Sequence, residues 1–199
     1  MKEIIPKDTR YVPVVQQKSC CVPASVSMIM YRHNIPLVPQ ELLGYYLGLT
    51  IAPENKKFFW NPRTGKQPPG GYGTQIYKKE FYLDAAFRKL KIPLKMIFHP
   101  ISGFSDEVFK KFISQSIKNN GDILTCFDYG KLSGDDIRAG HVCVVDRIDL
   151  KQNTIRLIDP QPIQPKWRVV KIKDLLKAMR YHGDEKSAGL WEFKIIRNK

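Results

Sequence analysis

The spacing of apolar residues predicts helices mainly in the first part of the chain. From Cys21 to Arg32 apolar residues recur at helical spacing, and Pro23 falls in the first turn, where a helix loses no hydrogen bond to proline. We therefore expect a helix that begins at Cys21. The same spacing, with start and stop residues at the ends, predicts helices at 40–47, 79–89, 105–119 and 174–181.

Short apolar runs separated by turn residues dominate the last third of the chain, a pattern typical of strands. The predicted strands are 93–98, 122–127, 141–148, 154–158, 167–172 and 190–196, and residues 11–15 are the strand-like part of an extended entry over 1–20. A helical front half packed on an antiparallel back half is an α+β fold. We expect one domain over residues 1–199, with a helical part at about 1–120 and a sheet part at about 121–199.

Residues 50–75 interrupt this pattern with many prolines and glycines. Irregular segments longer than about 12–15 residues are uncommon in compact domains and often serve as lids or binding loops. Trp60 and Tyr72 lie in this segment and are candidates for the wall of a substrate cleft. A plain surface loop with one aromatic anchor explains the pattern equally well.

Composition is that of a folded soluble protein, with 43% apolar and 26% charged residues among 199. The N-terminus has no signal-peptide pattern, and no apolar run approaches the roughly 18 residues needed to span a bilayer. The net charge of +14 is uneven, because residues 101–150 alone carry more acidic than basic side chains. Either the surface is simply rich in solvated lysine, or it binds an anionic partner such as nucleic acid or a membrane.

Four cysteines are present, and their spacing does not suggest disulfides or metal binding. Cys20 and Cys21 are adjacent, which disfavours a bridge between them, and no CxxC pair or matching histidine spacing occurs. Cys126 and Cys143 lie in apolar strands and are expected in the core. We therefore predict free thiols, no metal and no cofactor, in a reducing compartment such as the cytoplasm, with secretion as an effector left open.

Three residues stand where thiol chemistry needs them. Cys21 begins a helix, and a helix N-terminus favours the thiolate, which is the nucleophilic form. His141 opens an apolar strand, and Asp159 ends the next one. Two antiparallel strands joined by a short turn place these two side chains next to each other, so Asp159 is positioned to orient the ring of His141.

Four short segments together resemble the papain-like cysteine peptidases. They are VPVVQQ at 12–17, CVPASVSM at 21–28, GHVCVV at 140–145 and IDP at 158–160. The chain is most similar to the branch that cleaves double-glycine leaders from exported peptides, including its free-standing relatives. That branch has a glutamine, a cysteine in a CGPAS-like helix start, a histidine before an apolar strand and an aspartate before proline, in this order.

The resemblance implies a papain-like fold and a cysteine peptidase that acts on a peptide or protein. Cys21 would attack a carbonyl, His141 would act as base and acid, and Asp159 would hold His141. Gln17 would donate its amide to the oxyanion, but the interval to Cys21 is shorter than in the family, so Gln16 is the alternative donor. Either adjacent sulfur could react, and Cys21 is favoured because the Pro-Ala-Ser sequence begins two residues after it.

The sequence is also compatible with functions other than peptide hydrolysis. Papain-like folds also host deamidases and acyltransferases, including toxins and effectors, and an inactive binding module is the remaining alternative. Val22, where the family has glycine, favours the binding module. His99 and His182 are expected in turns, and the acidic residues before His141 either attract a basic substrate or are solvated loop charges: Asp128, Asp135 and Asp136.

Overall fold

The computed structural model describes residues 10–164 and 166–196. Its helices are α1 (Cys21–Arg32), α2 (Gln40–Tyr46), α3 (Leu83–Leu90), α4 (Asp106–Lys118), α5 (Tyr129–Ser133) and α6 (Ile172–His182). Its strands are β1 (Leu94–Pro100), β2 (Asp122–Asp128), β3 (Gly140–Asp149), β4 (Thr154–Ile158), β5 (Trp167–Lys171) and β6 (Gly189–Ile195). The strands form one sheet in the order β1-β6-β2-β3-β4-β5, and every neighbouring pair is antiparallel.

The two faces of the sheet bury separate apolar cores. Along β3, Val142 and Val144 belong to the core shared with α1, α2 and α3, whereas Cys143 and Val145 belong to the core shared with α4 and α6. This division follows from the alternation of side chains along a strand. The sheet is therefore covered by helices on both faces, and the start of β3 lies between the two cores.

The predicted elements are largely confirmed, with three differences. Residues 11–15 form no strand, because their backbone makes no ladder of hydrogen bonds with a strand of the sheet. The helix predicted from residue 79 begins at Leu83, after a separate 3-10 turn at Lys79–Phe81. Helix α5 was not predicted from the sequence. The first part of the predicted extended entry, residues 1–9, lies outside the described residues.

Two contacts hold α1 in place on the sheet. At its N-terminal half, the hydroxyl of Ser25 donates a 3.1 Å hydrogen bond to the carbonyl of Val142 in β3. At its C-terminal end, Arg32 pairs with the buried carboxylate of Asp122, which also accepts a 2.7 Å hydrogen bond from Tyr11. Breaking such a buried pair is costly, so these contacts fix the helix that carries Cys21 relative to β3.

The segment 50–75 is anchored where it approaches the start of α1. Thr50 pairs with Gly73, and Ile51 pairs with Gly70, as isolated bridges. Gly71 has φ +147, and a Cβ there would lie 2.6 Å from the Thr50 hydroxyl, so this close approach requires glycine. These contacts place Tyr72 and Gly73 beside Cys21.

In the described part of the chain, no helix combines the length and the apolar composition that crossing a membrane requires.

Candidate active site

Cys21 is the first residue of α1, and its partly exposed side chain lines a cavity of about 800 Å³. The neighbouring Cys20 is fully buried against Leu49, Ile51 and Phe59. Burial raises the pKa of Cys20 far above that of an ordinary thiol, and the adjacent Cys21 adds to this effect. Of the two adjacent sulfurs, only that of Cys21 is both accessible and at the open end of the helix.

His141 and Asp159 form a buried hydrogen-bonded pair. The Nε2 atom of His141 lies 2.7 Å from Oδ1 of Asp159, and the two residues are 4% and 0% exposed. The same Oδ1 accepts a 2.9 Å hydrogen bond from the backbone N–H of Gln161, and Oδ2 lies 3.4 Å from the guanidinium of Arg168. The carboxylate is thus held from three directions, which fixes the plane of the imidazole.

The charges of this pair reinforce each other. Burial disfavours the charged form of Asp159, but the hydrogen bond and charge of His141, the Gln161 N–H and Arg168 outweigh it, and the pKa of Asp159 is lowered. Burial likewise opposes the imidazolium, but Cys143, Asp159 and Cys21 outweigh it, and the pKa of His141 is raised well above its usual range. The carboxylate of Asp159 therefore favours the protonated form of the ring, the form that His141 takes when it accepts a proton.

The thiol of Cys21 lies close enough to His141 to contribute to the raised pKa of the ring, and both residues line the same cavity. Because Nε2 faces Asp159, the nitrogen left for a thiol is Nδ1. Cysteine, histidine and aspartate therefore follow one another in a chain of contacts. Proton transfer from the sulfur to a ring fixed by a carboxylate is what this arrangement can do chemically.

Cys143 lies behind the imidazole rather than in the open cleft. It is fully buried, as the sequence predicted, and its sulfur lies within 4.8 Å of a ring nitrogen of His141. Burial raises the pKa of Cys143 to about 12, partly offset by His141, so its thiol is neutral at pH 7. Among the described residues, His141, Cys143 and Asp159 form the cluster that could hold a metal ion. Their potential ligand atoms lie within 4.8 Å of one another. We interpret them as an acid–base pair with a supporting thiol, because His141 and Asp159 already bond each other.

Gln16 and Gln17 occupy different environments. Gln17 is exposed, does not line the cavity, and donates its backbone N–H to Gln40 at 2.9 Å. Gln16 lines the cavity together with Cys21, and its side-chain Oε1 is buried without a hydrogen-bond partner. A 2.9 Å backbone bond from Gln16 to Pro160 ties it to the residue that follows Asp159.

The cavity has two walls. Tyr72 and Gly73 from the 50–75 segment line one side, and Tyr181 and His182 at the end of α6 line the other. Trp60 is not part of this cavity but lines a separate pocket of about 290 Å³. Of the two aromatic residues considered from the sequence, only Tyr72 reaches the cleft.

The acidic residues before His141 do not form an acidic cleft. Asp128 lines the cavity, but its Oδ1 accepts a 2.8 Å hydrogen bond from the N–H of Lys131 and caps α5. Asp135 and Asp136 are exposed and lie outside the cavity lining. The positions of these three side chains therefore do not favour the attraction of a basic substrate.

A smaller pocket of about 130 Å³ opens beside the sulfur of Cys21. Its lining is mostly apolar and includes Val22, Cys126, Val142 and Trp191. Val22, which replaces the glycine of the resembled family, is 2% exposed and packs into the core. Val22 therefore lines the small pocket beside Cys21 but not the larger cavity.

Comparisons with known proteins agree with this architecture. No protein-family model matches the chain, and no curated protein matches it. Among solved structures, the chain is similar to one described as xylellain, a cysteine protease from Xylella fastidiosa, with a TM-score of 0.53 and 10% identity. The match covers 94% of this chain and 84% of the other. The chain thus has the α+β, papain-like fold that the sequence predicted.

Proposed function

We propose that the protein is a cysteine peptidase that hydrolyses a peptide or amide bond through a thioester on Cys21. The observation that carries this proposal is the buried 2.7 Å contact between His141 and Asp159, in a cavity that His141 shares with the accessible thiol of Cys21. Burying an imidazole and a carboxylate costs stability, and buried pairs of this kind at a cleft are concentrated at active sites. The pair therefore favours an enzyme over a binding module.

The reaction begins when His141 accepts the thiol proton and the Cys21 sulfur attacks the substrate carbonyl carbon. A C–S bond forms and the carbonyl electron pair moves onto oxygen. When the pair returns, the C–N bond breaks, and the departing amine takes the proton from His141. Water then attacks the thioester carbon while His141 accepts a proton from it, and a C–O bond forms. The C–S bond breaks as the acid product is released, and the proton on His141 returns to the Cys21 sulfur.

Gln16 is the oxyanion donor in this proposal, together with the backbone N–H of Cys21. The sequence put Gln17 forward for this role, with Gln16 as the alternative. Gln16 lines the cavity with Cys21, and its Oε1 has no hydrogen-bond partner among the described residues, so the amide is not held elsewhere through that oxygen. Gln17 is exposed and does not line the cavity. A donor at this point matters because it stabilises charge that develops only during the reaction.

Gln16→Ala is expected to lower kcat by about 100- to 1000-fold, because one oxyanion donor is lost. Gln17→Ala is the matched control and is expected to stay within about threefold of wild type, as most exposed substitutions have small effects. The measurement is kcat for both variants with one peptide, alongside thermal unfolding. A large loss in Gln17→Ala with Gln16→Ala near wild type would return the role to Gln17.

The proposed function is tested with a peptide library derived from a whole proteome, analysed by mass spectrometry after incubation with wild type and with Cys21→Ala. We expect new termini only with wild type and, at early times, an acyl adduct on Cys21. An adduct resolved by an added amine rather than by water would indicate acyl transfer, and conversion of glutamine to glutamate without cleavage would indicate deamidation. Either result would replace the peptidase assignment.

The same library addresses the narrower resemblance to peptidases that cleave after double-glycine leaders. Such cleavage requires a cleft that rejects side chains next to the reacting carbonyl. Tyr72 and Gly73 stand beside Cys21 and are placed to narrow the cleft. If this resemblance extends to substrate choice, two glycines will precede the cleaved bonds.

A further inference from the structure

One wall of the cleft carries positive charge. Arg138, before β3, and Lys186, after α6, both line the cavity that contains Cys21. Tyr181 lies between cations, with the guanidinium of Arg138 at 5.5 Å and the ammonium of Lys131 at 5.2 Å from its ring centroid. We call Arg138, Tyr181 and Lys186, which all line this cavity, the cationic wall.

The two charges of this wall are not neutralised by ion pairs with other described residues. Over residues 10–164 and 166–196, neither Arg138 nor Lys186 takes part in an ion pair, in contrast to Arg156 and Arg168, which bind buried carboxylates. Both side chains are exposed. A guanidinium stacked on an aromatic ring is held in place while its N–H groups stay free for an anion.

Negative groups near the wall do not cancel this charge. The carboxylate of Asp128 is buried and caps α5, and that of Asp159 is paired with His141. Asp135, Asp136 and Glu185 are exposed and do not line the cavity.

His182, at the same wall, contributes no opposing charge. Burial, with a smaller contribution from Lys186, lowers the pKa of His182 despite the nearby Asp128 and Glu185, so its ring is neutral at pH 7. The charge presented to the cleft is therefore positive.

We propose that the substrate presents an acidic side chain, or its terminal carboxylate, to the cationic wall while Cys21 attacks a nearby carbonyl. This rests on the proposed function and adds the substrate class. Because Cys21, Arg138 and Lys186 line the same cavity, the acidic group of the substrate lies close to the cleaved bond. Field lines from the wall also speed the arrival of such a substrate.

The test that needs no substrate uses two alkylating agents of similar size, anionic iodoacetate and neutral iodoacetamide. The measured quantity is the ratio of their rate constants at Cys21, with the site verified by mass spectrometry. We expect the double variant Arg138→Gln/Lys186→Gln to lower this ratio about fivefold at low salt, since each exposed charge contact contributes a few-fold. High salt should shrink the difference, because exposed charges are screened.

Lys173→Gln/Lys177→Gln is the matched control. It removes the same net charge from exposed positions of α6 that do not line the cavity. An unchanged ratio in the control and a lowered ratio in the wall variant support the proposal. Equal ratios in wild type and wall variant, or equal losses in both variants, overturn it. Protection of Cys21 by a short single-stranded oligonucleotide, but not by an acidic peptide, also overturns it in favour of nucleic acid.

Peptide hydrolysis supplies an independent second measurement. Matched peptides that differ by Glu against Gln near the cleaved bond should differ about fivefold in kcat/KM with wild type and much less with the wall variant. If peptides are cleaved without this preference, the acidic substrate is wrong and the peptidase stands. If the alkylation ratio responds as expected and no peptide is cleaved, the peptidase is wrong and the anion selectivity of the wall stands.

Discussion

Cys21→Ala is expected to lower kcat/KM for peptide hydrolysis by at least about 10,000-fold, because the atom that forms the thioester is removed. Cys20→Ala is expected to keep kcat/KM within a few-fold of wild type. Its sulfur is fully buried against Leu49, Ile51 and Phe59 and faces no substrate. The expected cost of Cys20→Ala is instead about 1 kcal/mol of unfolding free energy, for lost packing.

The comparison is decisive because the two cysteines are adjacent in sequence. Both variants should be measured with the same peptide and by thermal unfolding, so that a folding defect is separated from lost chemistry. If Cys20→Ala is inactive but unfolds like wild type, and Cys21→Ala is active, then Cys20 and not Cys21 is the nucleophile.

Asp159→Asn is expected to lower kcat by about 1,000- to 10,000-fold with little change in side-chain volume. Its Oδ1 currently accepts from His141 and from the Gln161 N–H, and its Oδ2 faces the Arg168 guanidinium. An amide places an N–H₂ group against one of these donors and removes the negative charge. The imidazolium then loses its stabilising partner, and the ring is free to take the wrong tautomer.

The pH dependence follows from the directions of the two shifts. Because the pKa of His141 is raised in the fold, the pair's contribution to stability is lost as pH rises through that pKa. Because the pKa of Asp159 is lowered, the contribution is also lost as pH falls through it. Asp159→Asn should therefore move the alkaline limit of stability to lower pH, which unfolding measured across pH will detect.

Asp146→Asn is the control for the loss of a buried carboxylate. Asp146 is 5% exposed and pairs with Arg156 at 2.5 Å, on the same strand as His141 but away from the cavity lining. We expect Asp146→Asn to lower stability and to leave kcat within a few-fold of wild type. Equal losses of kcat in the two variants would show that Asp159 acts through the fold alone.

Local patterns were sufficient to predict the elements that carry the central residues. Proline in the first turn and apolar spacing predicted that a helix begins at Cys21, and α1 does. The hairpin of β3 and β4 was predicted from turn residues and apolar runs, and its two strands are paired in the structure. These features depend on nearby residues, which is why a single sequence was enough.

Features that depend on contacts between distant segments were not predicted. The position of Gln16 in the cleft depends on a turn through Ser19, with φ 63, and on the bond from Gln16 to Pro160. His182 was expected in a turn, but the packing of α6 brings it to the cavity. The proximity of Cys143 to His141, by contrast, was readable from the sequence, because residues i and i+2 of a strand lie on the same face of the sheet.

Activation of the Cys21 sulfur by His141 can be measured without a substrate, through the rate of alkylation by iodoacetamide across pH. At neutral and mildly acidic pH, wild type is expected to label at Cys21 faster than His141→Ala does, because the ring takes up the thiol proton. In His141→Ala, labelling should be slow there and rise only at alkaline pH. If the two proteins label at the same rate across the whole range, His141 does not activate Cys21 and the account is wrong.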